Sequence, residues 1–195
     1  MDLRETSPIP AAALPVAVFR DHLRLSSGFA DSTTQDDLLE QYLRAAIAAI
    51  EGRVARALFQ RGYALRVTRW RDRDAQALPI APVLSIQAMT LQDRDGGTVV
   101  VDPSRYALDA DGTRPSVVAA GSSLPTIPTR GAVDIAFTAG FGPVWDDIPA
   151  DLRQAVLLLA AQYYEGREAG GDAEMAFGIR ALLERWRDLR LGRGA

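Results

Sequence analysis

The side chains that most often carry catalysis or bind metals are scarce in this sequence. His22 is the single histidine among 195 residues, and there is no cysteine. A Ser-His-Asp triad would have to use His22, whose place beside Phe19 and Leu23 on a predicted short helix indicates partial burial. One histidine without cysteine leaves only carboxylates for a transition metal. We therefore expect no catalytic residues, no metal, no cofactor and no disulfide.

The remaining polar motifs have simpler structural explanations. The pairs Asp36-Asp37 and Asp146-Asp147 are adjacent in sequence, so their side chains point apart and suit helix starts rather than acid/base couples. Asp93–Gly96 lacks the spacing of a calcium loop, and a hairpin turn explains it better. Gly140–Gly142 lacks both the third glycine of a dinucleotide fingerprint and the lysine of a phosphate loop. The sequence thus favours a structural protein over an enzyme.

The charge pattern disfavours a DNA-coating protein. All basic residues are arginine, and the formal net charge is only -3, whereas DNA-coating proteins usually have a large basic excess. Basic residues nevertheless cluster between Arg53 and Arg73 and again between Arg180 and Arg193. The first ten residues lack the layout of a signal peptide, and no apolar run has the length of a membrane span, which indicates a cytosolic origin.

The apolar pattern predicts the elements that carry these residues. Steps of three and four residues predict long helices over about 35–58, 149–165 and 175–190. Between the first two, apolar and polar residues alternate, as from Tyr63 to Val67, which predicts strands. Since the strands are grouped, we expect an α+β fold: a mostly helical body with an inserted antiparallel β-sheet region at about 63–138.

The same pattern predicts a division of the chain into three parts. Residues 1–14 are rich in proline and alanine without a period, which predicts a flexible N-terminal arm. Residues 15–168 are assigned to one domain made of helices, the inserted sheet and a further helix. Residues 169–195 are assigned to a C-terminal helix or extension.

Several motifs follow one another in an order typical of one protein family. Asp36–Leu39 (DDLL) opens an alanine-rich helix, and Leu78–Val83 (LPIAPV) leads into a strand. Phe137–Gly142 (FTAGFG) is followed by Ile148-Pro149 and then by Tyr163–Glu168 (YYEGRE). In this order and spacing the chain resembles the head–tail connector, or adaptor, family of tailed bacteriophages and gene transfer agents. It departs from the family pattern at Phe141, usually tyrosine, and at Gly166, usually asparagine.

The resemblance implies a virion protein without catalysis. It implies an adaptor subunit in a ring of about twelve copies that joins the portal of the capsid to the tail and surrounds the DNA exit channel. The implied partners are other copies of this chain, the portal protein, a stopper or tail-terminator protein, and double-stranded DNA that passes without sequence recognition. No membrane is implied. The implied location is the bacterial cytoplasm during assembly and then the head–tail neck of a phage or gene transfer agent particle.

Two sets of residues are candidates for these contacts. Because tryptophan and arginine are enriched at binding hot spots, the portal contact is assigned to the C-terminal segment. Its residues are Arg180, Arg185, Trp186, Arg187 and Arg190. The contact between copies is assigned to Tyr164, Arg167, Glu168, Arg66 and Arg69. Deletion of residues 179–195 is expected to abolish portal binding and to leave the fold intact.

Two other functions stay open at this point. The chain could be a different small virion part, such as a tail-completion or stopper protein. It could also be a nucleic-acid-binding regulator that uses the cluster from Arg53 to Arg73, and steep salt dependence of duplex DNA binding would favour that function.

Overall fold

A computed structural model of the chain describes residues 1–25, 33–166 and 175–187. The chain forms two compact units. The first, here called the sheet unit, comprises Met1–Pro8 and Phe59–Phe141. The second, the helical unit, comprises Ile9–Leu58 and Gly142–Ala195.

The sheet unit contains two antiparallel sheets. Its strands are β1 (Asp2–Glu5), β2 (Arg61–Val67), β3 (Ala75–Ala77), β4 (Val83–Gln92), β5 (Thr98–Val100), β6 (Tyr106–Asp109), β7 (Ser116–Ala119) and β8 (Ala132–Ala139). One sheet has five strands in the order β1-β2-β8-β4-β5, and the other has three in the order β3-β7-β6. All pairs are antiparallel, as the grouped strands of the sequence predict.

The centre of the larger sheet shows why these residues form strands. Tyr63 of β2 pairs with Phe137 of β8, and Leu65 pairs with Ile135. All four are buried, and the rings of Tyr63 and Phe137 stack with centroids 5.7 Å apart. Successive side chains of a strand point to opposite faces. The alternating pattern therefore places one apolar face in a core and leaves small and polar residues on the other.

The helical unit is built around two long helices. Its helices are α1 (Val16–His22), α2 (Thr33–Val54), α3 (Ala150–Gly166) and α4 (Phe177–Leu183). α2 packs against α3, and both present a row of fully buried aliphatic side chains at helical spacing. The buried residues are Leu39, Leu43, Ile47 and Ile50 of α2 and Leu152, Val156 and Leu159 of α3. Each such side chain contributes about 1.5–3 kcal/mol through removal from water. Within the described residues no helix has the length and apolarity of a membrane span.

The prediction of a mostly helical body is wrong. Of the described residues, 37% are helical and 28% belong to strands. The helix predicted over 35–58 starts at Thr33 and ends at Val54, and the one predicted over 149–165 spans Ala150–Gly166. The helix predicted over 175–190 is α4 of seven residues and a 3₁₀ turn at Glu184–Trp186. Residues 188–190 lie outside the described part.

α2 stops before the apolar pattern ends, and a buried glutamate holds the segment that follows it. The apolar pattern continues to Leu58, but Ala55 has a φ of 54°, which the right-handed helix does not allow. The carboxylate of Glu51, only 8% exposed, accepts a hydrogen bond from the backbone N–H of Leu58 at 2.7 Å. This bond satisfies a buried donor in a segment that is no longer helical.

The start of the chain is bound to the sheet unit. Asp2–Glu5, which fall within the predicted flexible arm, form β1 on the edge of the larger sheet. Glu5 forms an ion pair with the buried Arg61 at 3.0 Å, and the N–H of Gly62 donates to the Ser7 hydroxyl at 3.0 Å. No local pattern predicted β1, because its partner β2 lies about 60 residues further along the chain.

Candidate functional site

The C-terminal arginine and tryptophan residues are fixed to the first turn of α3. The indole Nε1 of Trp186 donates to Asp151 Oδ2 at 2.7 Å, and Arg185 Nε lies 3.3 Å from the same oxygen. The guanidinium of Arg185 also stacks over the Trp186 ring, 4.7 Å from its centroid. No motif in the sequence signalled that Asp151 would anchor residues 34 and 35 positions further along the chain.

The other residues of the predicted portal contact differ in their surroundings. Arg187 forms an exposed ion pair with Glu184 at 3.2 Å. Arg180 is half-buried on α4. Arg190 lies outside the described residues. Of the three consecutive residues 185–187, Arg185 and Trp186 contact Asp151, whereas Arg187 pairs with Glu184.

The same segment is part of a core, which affects how it can be tested. Ile179 is 2% exposed and Leu183 is fully buried. Removing such side chains costs about 2–5 kcal/mol each. A deletion of residues 179–195 is therefore expected to destabilise the helical unit, contrary to the expectation from sequence that the fold would stay intact.

The described residues predicted for contacts between copies divide between the two units, with Tyr164 in the helical unit and Arg66 and Arg69 in the sheet unit. Tyr164 is half-buried on α3, and its ring meets Tyr42 of α2 edge-on with centroids 5.8 Å apart. Arg167 and Glu168 lie outside the described residues. Tyr164 therefore stabilises the pairing of the two long helices.

Arg66 and Arg69 lie in the sheet unit. Arg66 forms an ion pair with Asp134 on the neighbouring strand at 3.1 Å and donates to Gln92. Arg69 is exposed and, together with Arg71 and Trp70, lines an open cavity of about 780 Å³. Within the described residues, Arg66 therefore has ion-pair and hydrogen-bond partners, whereas the guanidinium of Arg69 has none.

The arginine cluster between Arg53 and Arg73 is not one basic surface. Arg56 and Arg61 are only 5% and 8% exposed, and Arg66 is paired with Asp134. Nucleic-acid binding depends on guanidinium groups that reach phosphates together. The burial of two members weakens the hypothesis of a DNA-binding regulator.

His22 does not belong to a catalytic arrangement in the described residues. It is exposed in the last turn of α1, not partly buried as its apolar neighbours indicated. It lines a shallow groove whose other described walls carry one acid, Glu165, and no serine or cysteine. Across the ranges that the structure describes, no three histidine, cysteine or carboxylate side chains lie close enough to hold a metal ion.

Comparisons with known proteins relate the whole chain to one kind of particle. No protein-family model and no curated protein matches it. Among solved structures, it is similar to a chain from the neck of an empty gene transfer agent particle computed with six-fold symmetry, with a TM-score of 0.91 and 54% identity. It is also similar to a chain from the neck of the native particle computed with twelve-fold symmetry, with a TM-score of 0.87 and 51% identity. It is similar as well to a chain from the virion of the native gene transfer agent particle, with a TM-score of 0.89 and 54% identity. Each match covers 100% of this chain and 99% of the other.

Proposed function

This chain belongs to the family of neck proteins of gene transfer agent particles, and we propose that it is the adaptor subunit of that neck, the ring that joins the portal to the tail. The observation that carries the proposal is identity above half over the full length of chains from a particle neck. A structural role in a ring follows from the family, since the native neck has twelve-fold symmetry. The position next to the portal is the part that we propose.

The order of motifs supports the adaptor rather than another neck part. The sequence from Asp36 to Glu168 follows the adaptor pattern with mild departures at Phe141 and Gly166. A tail-completion or stopper protein remains the alternative and is an outcome of the experiment below. This chain is located in the neck of the particle. We propose that the particle assembles in the bacterial cytoplasm.

We propose that the portal contact uses the C-terminal segment. Arg185 keeps 70% and Arg187 50% of its side chain exposed, although both have internal partners. Exposed ion pairs contribute only about 0–1 kcal/mol, so these guanidinium groups can exchange partners at small cost. Arg180, Trp186 and Arg190 complete the proposed contact.

For the contact between copies, Arg69 is the strongest of the predicted residues because it is exposed. Tyr164, Arg66, Arg167 and Glu168 stay predictions. Duplex DNA is proposed to pass through the ring without sequence recognition, and the stopper or tail terminator is proposed to bind the ring on the side away from the portal. We propose no catalytic role, because the matched chains are parts of a particle neck.

The test mixes the full chain with purified portal and images the product by electron microscopy. An adaptor forms a ring directly on the portal. A chain that binds only after another neck protein has been added would instead be a stopper or tail-completion protein, and the adaptor proposal would be wrong.

A charge reversal in the C-terminal segment tests the portal contact. We expect Arg187→Glu combined with Arg190→Glu to weaken portal binding at least tenfold, about 1.4 kcal/mol. The control is Arg105→Glu at an exposed arginine of the sheet unit, and this variant should bind as the unmodified chain does. If both variants bind the portal equally well, the C-terminal segment does not form the portal contact. The proposal that the chain forms a ring would not be affected by this result.

A further inference from the structure

The end of the β4–β5 hairpin carries aliphatic side chains that nothing in the described structure covers. Val99 is 65% exposed and Val100 is 68% exposed. They are consecutive residues of β5, so they point to opposite faces of the sheet. β5 is also an edge strand. Both faces and the free edge of this hairpin are therefore available to a partner.

The turn that closes this hairpin is built to hold one shape. The carboxylate of Asp93 accepts hydrogen bonds from the N–H groups of Asp95 at 2.9 Å and Gly97 at 2.7 Å. The N–H of Asp93 donates to the carbonyl of Gly97 at 2.9 Å, and Gly96 has a φ of 89°, which favours glycine. A preorganised segment loses little conformational entropy when it binds.

The helical unit contains a groove that matches such a segment in chemistry. The groove has a volume of about 690 Å³. Apolar and small residues dominate its walls: Leu158, Ala161, Gly166, Ala176, Gly178 and Ile179. Phe177, which stands between Ala176 and Gly178 in the sequence, is 79% exposed. Exposed apolar surface of this kind, with polar residues at its edge, marks a site of protein contact.

We propose that the β4–β5 hairpin of one copy docks in the groove of the next copy and so closes the ring. This inference rests on the proposed function, because it assumes that the chain forms a ring. A closed ring of identical copies needs two different patches on each copy that fit each other. The hairpin and the groove are two such patches, one on each unit of the same chain.

One pair of opposite charges, Arg94 of the turn and Glu165 of the groove, is available to a second copy as the occupant, although the turn also carries Asp93 and Asp95. Glu165 is the acidic residue that lines the groove, and Arg94 is the basic residue of the hairpin turn. Among the described residues Arg94 pairs with its neighbour Asp95, at 3.3 Å, and both side chains are more than 60% exposed. Such a pair is weak. Arg94 can therefore turn to Glu165 of the next copy, while Asp93 stays engaged inside the turn.

Paired cysteines test this contact directly, because the chain has no cysteine of its own. The variant Val99→Cys with Ala176→Cys is assembled on the portal and treated with a short bismaleimide linker. We expect a ladder of covalently linked chains on a denaturing gel. The control is Val99→Cys with Val144→Cys, since Val144 is 53% exposed but does not line the groove. A ladder of equal yield from the control pair would overturn the proposal.

Charged substitutions give a second measurement that does not depend on linker geometry. Val99→Asp with Val100→Asp should leave the fold unchanged, because both side chains are exposed, and should lower the yield of rings at least tenfold. Val144→Asp should leave the yield unchanged. If the Val99→Asp/Val100→Asp variant forms rings in normal yield, this contact is wrong. The contact is also wrong if the Val99→Cys/Ala176→Cys variant forms rings whose chains the linker does not join. Both results leave the proposed function standing. If the unmodified chain forms no ring on the portal, the proposed function fails, and this inference fails with it.

Discussion

The contact between Asp151 and Trp186 sets how firmly the C-terminal segment is held. The carboxylate of Asp151 is only 19% exposed and accepts the indole N–H at 2.7 Å. A hydrogen bond to a charged partner contributes about 1.5–3 kcal/mol. The exposed pair with Arg185 adds about 0–1 kcal/mol, and a carboxylate at the start of α3 adds about 0.3–1 kcal/mol through the helix dipole. We therefore expect Asp151→Ala to lower the free energy of unfolding of the helical unit by about 2–5 kcal/mol.

A double-mutant cycle separates the indole contact from the other contributions. Trp186→Phe removes the indole N–H together with the five-membered ring, and the cycle with Asp151→Ala cancels the packing loss that is the same in both backgrounds. The coupling energy, measured by urea unfolding with circular dichroism, should be about 1.5–3 kcal/mol. As a control, Asp146→Ala with Trp186→Phe should be additive within about 0.5 kcal/mol, because Asp146 is 85% exposed and pairs with Arg153 instead. A coupling of the same small size for Asp151 and Trp186 would refute the anchoring role.

Two further predictions concern single residues of the sheet unit. Gly140→Ala should destabilise the protein by about 2–5 kcal/mol, because φ is 130° and a Cβ atom would meet the backbone of Phe59. Gly52→Ala in α2 is its control, because no atom lies within contact distance of a Cβ added there. Alanine favours a helix more than glycine does, so thermal unfolding should show a free energy of unfolding that is higher by about 0.5–1 kcal/mol. NMR titration should place the pKa of Asp102 below its ordinary value of 3.8, because the N–H and hydroxyl of Ser104 stabilise the carboxylate. Ser104→Ala should raise this pKa part of the way, since the N–H remains. A lowered folded pKa adds stability above the unfolded pKa, and that stability is lost as the pH falls through the folded pKa.

The sequence predicted elements whose pattern is local. Tyr63 to Val67 alternates because one face of β2 is buried, and the turn before Thr98 follows from Asp93, Gly96 and Gly97, which all act within five residues. The position of α3 after Pro149 was likewise predicted, because its apolar face recurs at helical spacing. These features need no knowledge of distant parts of the chain.

The features that sequence could not predict depend on distant partners. β1 is stabilised by pairing with β2 and by the bond between Glu5 and Arg61. The burial of Arg56 and Arg61 reverses the usual expectation that charged side chains are solvated. Asp151 meets Trp186 only because the chain returns to α3. In each case the determining contact joins residues that have no shared local pattern.

The exposed valines of β5 show how such distant constraints bear on function. In a free monomer, Val99 and Val100 on an edge strand are a liability, because exposed apolar edges promote aggregation. The turn beside these valines is well ordered, because the carboxylate of Asp93 accepts hydrogen bonds from two N–H groups. The end of the hairpin thus has a defined shape although Val99 and Val100 are exposed there, which argues against a surface loop without function. Such a segment becomes favourable once a neighbouring copy covers it. The proposed contact between copies therefore predicts that the assembled ring covers these valines, which the single subunit leaves exposed.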